Sequence, residues 1–191
     1  MDSPLSFISE SGERQKMHTN VSMRGYKLDI QYSHKDEGAR NIYGYWDKKQ
    51  VSSVLYGLKD GKLIISDISN DAKFTYDRST DHFGTELFNE LLLHLKDLNQ
   101  TFECINGSLS PFDAINGNWL TSIKFYDDFC KWSDASLGYR LKFHLYNESE
   151  RINEIQLPVD VNERNTFIKA FTEDHAQTKQ AAAFTYELIA M

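Results

Sequence analysis

The chain has 191 residues, 40% hydrophobic and 26% charged, which suits one domain, or one with an appendage, and rules out a largely disordered chain. A formal net charge of -7 argues against nucleic-acid binding through clustered basic residues, and no apolar run approaches the roughly 18 residues of a membrane span. The opening residues lack a signal-peptide pattern, the two cysteines form no CxxC, and the six histidines form no HExxH, so a cytoplasmic protein without a metal or disulfide site is expected.

Residues 1–20 are polar and unpatterned and are expected to be loosely held. Residues 26–32 (YKLDIQY) alternate as a half-buried strand does, and residues 42–46 (IYGYW) are a weaker candidate. Residues 51–58 and 62–69 flank Asp60 and Gly61, a tight-turn pair, and predict a hairpin; residues 72–76 (AKFTY) read as a further strand. Leu87, Leu91, Leu95 and Leu98, with Phe88 and Leu92, then follow helical spacing, predicting a helix over 84–98.

Residues 101–109 (TFECINGSL) predict a buried strand, and Trp119, Ile123, Tyr126 and Phe129 predict a second helix over 119–132 that Asn116 or Asn118 can cap. Residues 139–146 alternate cleanly and pair in expectation with 152–159 as a terminal hairpin. Asn162 is the expected cap of a broken helical region reaching residue 189, with Phe167, Ile168, Phe171, Phe184, Leu188 and Ile189 on its apolar face.

The polar loop at 78–87 (RSTDHFGTEL) enters a helix through Gly84, and amides at a helix start bind phosphate, although Ser79 or Asp81 as a simple cap explains the same residues. RSTDHFGTELFNELLLHLK resembles the phosphate loop of the GNAT N-acetyltransferases, Gln/Arg-x-x-Gly-x-Gly/Ala, with the long apolar helix that follows it. INGSLSPFDAINGNWLTSIKFYDDF is similar to that family's fifth strand and next helix, which often ends in Phe-Tyr. The resemblance covers roughly residues 73–129 and implies an α/β (α+β mixed sheet) architecture. This is a GNAT-like acyl-CoA N-acyltransferase fold over 21–160, with a C-terminal helical extension over 161–191.

By that resemblance the backbone amides of Phe83, Gly84 and Thr85 meet the pyrophosphate of acetyl-CoA, and residues 73–76 face its pantetheine. Arg78 is the basic partner, one residue early, and Asn118 lies one residue out of register with the family's asparagine. The resemblance implies that Tyr126, at the Tyr of Phe-Tyr, would protonate the departing thiolate, and that the acceptor would be an amine on a small molecule or peptide. His82 replaces the first glycine, Ser79 stands at the basic position, and Asp77 and Asp81 add negative charge. Those departures raise the alternative of a scaffold that no longer uses CoA. A homodimer through the C-terminal helices is a third reading. Asp67 as a base, and Tyr126 as a plain core aromatic, are further alternatives.

Overall fold

The computed structural model describes residues 6–8, 14–21, 27–34, 39–46, 48–70, 83–147 and 150–191. The chain divides into two compact units, Met1–Thr101 and Phe102–Met191. Among the described residues, no helix is long and apolar enough to cross a membrane.

The first unit is a meander of β1 (Ser6–Ile8), β2 (Arg14–Val21), β3 (Lys27–His34), β4 (Ala39–Trp46), β5 (Lys49–Lys59) and β6 (Lys62–Asn70), followed by helix α1 (Phe83–Asp97). Each strand pairs antiparallel with the next. The β5/β6 turn forms where expected, because Asp60 and Gly61 take φ values of 51° and 69°, the left-handed pair of a two-residue hairpin. Leu87, Leu91 and Leu95 give α1 a fully buried stripe, and on the strands Ile30, Tyr32, Ile42, Val54, Tyr56 and Ile65 are buried. Tyr32 stacks on His94 of α1 with ring centroids 3.8 Å apart. The helix closes with Asn99 in the left-handed region (φ 53°) and the Gln100 amide donating to the Leu95 carbonyl at 2.9 Å. The strand expected over 72–76 lies outside the described residues.

The second unit contains β7 (Cys104–Leu109), α2 (Pro111–Ile115), α3 (Trp119–Trp132), β8 (Tyr139–Tyr146), β9 (Glu154–Ile155), α4 (Val161–Thr178) and β10 (Ala182–Ala190). Its strand order is β7-β10-β8-β9, with every neighbouring pair antiparallel. Trp119 anchors α3 against α4: its ring lies 5.7 Å from Phe171 and 5.0 Å from His175, and its indole N–H donates to the Ser110 carbonyl at 2.8 Å. Arg164 of α4 pairs with Asp127 of α3.

Three expectations are corrected here. The C-terminal extension is not helical to residue 189: α4 ends at Thr178, Lys179 turns left-handed (φ 56°), and β10 runs between β7 and β8. The cap of α4 is Asp160, not Asn162; its carboxylate accepts from the Asn162 and Glu163 amides at 2.9 and 3.0 Å. The terminal hairpin shrinks to Glu154–Ile155 opposite Tyr146 and Leu145, because Arg151 and Asn153 adopt positive φ values of 58° and 67°, which interrupt an extended strand.

Candidate functional site

In the first unit the residues of interest open α1. Among the described residues the helix begins at Phe83, so Phe83, Gly84 and Thr85 lie in its first turn. All three are buried. The Phe83 ring lies 6.1 Å from Trp46 of β4. Glu86 is the acidic residue of the same turn. Arg78, together with Asp77, Ser79, Asp81 and His82, lies outside the described residues. Asp67 is an exposed strand residue opposite Leu55, at the register shift of the β5/β6 pair.

In the second unit Tyr126 lies two turns into α3 and is 8% exposed. Its ring stacks on Phe184 of β10, with centroids 4.0 Å apart and planes 27° from parallel. Phe143 of β8 lies 6.5 Å away and nearly parallel, and Phe125 and Tyr186 present their edges. The Tyr186 hydroxyl donates to the main-chain carbonyl of Tyr126 at 2.7 Å. Burial pushes the Tyr186 phenol well above its usual value. Cys130, one turn beyond Tyr126, has its thiol pushed up to about 12, first by burial and then by the Asp127 carboxylate.

Asn118 is exposed at the start of α3, where its side chain makes no capping bond; its carbonyl accepts from the Ser122 amide at 3.0 Å. Eight residues of helix, about 12 Å of rise, separate it from Tyr126, so these two are not brought together.

Gly107 and Tyr186 escape the sequence reading, and Phe184, expected on the apolar face of a helix, lies instead on β10. Gly107 pairs with Phe184 across β7 and β10. A β-carbon built on Gly107 would lie 2.2 Å from Phe184 Cζ and 2.3 Å from Cε1, so the phenyl ring lies over bare backbone. A glycine inside a strand is itself the signal of such close approach.

The sequence matches no family profile and no curated protein. Among solved structures the chain is similar to the ribosomal-protein-S18-alanine N-acetyltransferase of Escherichia coli, at 13% identity and a TM-score of 0.42, covering 82% of this chain and 73% of that one. It is also similar to a Desulfovibrio desulfuricans protein assigned to the GNAT acetyltransferases, at 12% identity and a TM-score of 0.41, over 80% of this chain and 69% of that one. A Bacillus subtilis acetyltransferase in complex with CoA matches at 9% identity and a TM-score of 0.43, over 81% and 79%.

Proposed function

We propose that the protein is a GNAT-like acyltransferase that moves an acetyl group from acetyl-CoA to an amine on a small molecule or peptide. The observation that supports it is the start of α1 at Phe83, which puts the loop glycine of the resemblance, Gly84, inside the first turn. The amides of Phe83, Gly84 and Thr85 and the Thr85 hydroxyl are a donor set that fits an anion, and the helix dipole adds positive potential there. Glu86 works against the same anion. Arg78 is the cationic residue proposed to offset it.

When bound, acetyl-CoA supplies a thioester whose carbonyl an amine attacks, so that a C–N bond forms as the C–S bond breaks. Tyr126 is proposed as the acid: its O–H bond breaks and the proton goes to the departing sulfur, while the amine nitrogen gives up one proton to water, which returns one to the phenolate. A phenol suits this because its ordinary pKa, about 10, lies close to that of a thiol. Asn118 is the candidate for a polar contact with the CoA arm, since its side chain is exposed and makes no capping bond.

Calorimetry with acetyl-CoA, followed by thiol release over a panel of small amines, peptides and aminoglycosides, tests the reading. Tyr126→Phe should keep acetyl-CoA affinity and lower kcat by about 10²- to 10⁴-fold. No binding at millimolar acetyl-CoA together with no thiol release would replace the enzyme by a scaffold that does not use CoA.

A further inference from the structure

We propose that Gly107, Phe184 and Tyr186 are positioning residues that fix the Tyr126 phenol, an inference that rests on the acid role given to Tyr126 above. Two contacts of different chemistry converge on this one residue. From the sheet side, the Phe184 ring lies over the Gly107 backbone, where a β-carbon would collide with it at 2.2 Å. Its stacking on Tyr126, 4.0 Å between centroids, makes Phe184 the spacer between β7 and the phenol. Any side chain at 107 displaces the spacer, and the Tyr126 ring with it.

From the backbone side, Tyr186 is 0% exposed and its hydroxyl donates at 2.7 Å to the Tyr126 carbonyl. A carbonyl oxygen has two lone pairs, so it can take this bond as well as one from the helix. The bond ties the backbone of α3 at Tyr126 to β10, the strand that also carries Phe184. Ring and backbone of one residue are therefore referenced to one strand. A proton donor needs this, because a shift of about 1 Å in a reacting group can cost on the order of 10²-fold in rate.

The experiment uses the full chain with Phe184→Leu, Gly107→Ala and Tyr186→Phe, each alone and combined with Tyr126→Phe. Phe184→Leu and Tyr186→Phe keep a test available should Gly107→Ala fail to fold. Expected are acetyl-CoA affinity within about twofold of wild type, kcat lower by about tenfold or more, an unchanged KM, and no further loss in the Tyr126→Phe background. A 3-fluorotyrosine at position 126 gives a readout that needs no turnover: its ¹⁹F resonance should move downfield in Phe184→Leu, when the ring current of the face-on neighbour is removed. An unmoved resonance, or rate losses that persist in full without the Tyr126 hydroxyl, would overturn the positioning role. Wild-type protein that releases no thiol with any amine, but whose ¹⁹F resonance moves as expected, would sink acetyl transfer while supporting the stack.

Discussion

Ser52 lies on β5 opposite Gly44, 1% exposed, and its hydroxyl has no hydrogen-bond partner among the described residues. A buried hydroxyl without a partner costs about 1–3 kcal/mol of desolvation, so deleting it should not weaken the fold. Ser52→Ala is expected to leave stability unchanged or raise it by up to about 1 kcal/mol, as read from urea unfolding; a loss above that would reveal a bond the hydroxyl makes. Cys130 behaves in the opposite sense, since burial and Asp127 together hold its thiol protonated up to about 12. At pH 8 this half-buried thiol should react with iodoacetamide more slowly in the native protein than after unfolding, which mass spectrometry can follow; equal rates would contradict its raised value. At this scale Gly84 was legible in the sequence because a glycine at the head of a leucine-striped helix stands out against its neighbours. Gly107 was not, since INGSL reads equally well as a strand interrupted by a turn residue. Only the ring it lies under, 77 positions later in the chain, gives that glycine its meaning.

Elements read correctly are those with one compatible period. The Leu87, Leu91 and Leu95 stripe fits only a helix, and the β5/β6 hairpin carries its own turn pair. Residues 182–190 fit two: Phe184 and Leu188 are four apart, a spacing that is one helical turn and also two full strand repeats, and Tyr186 between them decides for the strand. The outward face of α4 holds Asn162, Glu163, Lys169, Glu173 and Gln177, a polar surface. β9 is the weakest element, two residues long, and is tied down by His144, whose ring nitrogens lie 2.7 Å from Glu154 and 2.9 Å from Glu187. The hydrogen bond from His144 holds the Glu154 carboxyl below its usual range. A depressed carboxylate stabilises the fold above its unfolded value, about 4.3, and loses that contribution as pH falls through the folded value. Hydrogen-exchange protection of the Ile155 amide, corrected for intrinsic rate, should therefore drop in acid below about pH 4.3. Glu154→Gln should show the reduced protection already at neutral pH; identical profiles for the two proteins would remove the tie.

At the scale of the whole molecule the two units share a vulnerability to alkali. Tyr32 on β3 of the first unit is 1% exposed and Tyr186 on β10 of the second is 0% exposed. Burial raises both phenols well above their usual range, with the Glu90 carboxylate adding to the effect at Tyr32 and Cys130 to that at Tyr186. Tyr139 is pushed up to about 12, also by burial. A group with a raised folded value contributes its full stability below the unfolded value, about 10 for tyrosine, and loses it as pH climbs toward the folded one. Each deeply buried phenol thus gives up about 1.4 kcal/mol per pH unit above 10, against a typical total of about 5–15 kcal/mol. Tyrosinate absorbance at 295 nm should rise in a steep step between about pH 10 and 12, together with the loss of far-ultraviolet circular dichroism. Tyr32→Phe should move that limit upward. Tyr186→Phe should do the same after a cost of about 1 kcal/mol at neutral pH for its lost bond to the Tyr126 carbonyl. A smooth rise in absorbance with unchanged dichroism to pH 12 would mean that these phenols ionise in the folded chain, and the burial assigned to Tyr32 and Tyr186 would be wrong.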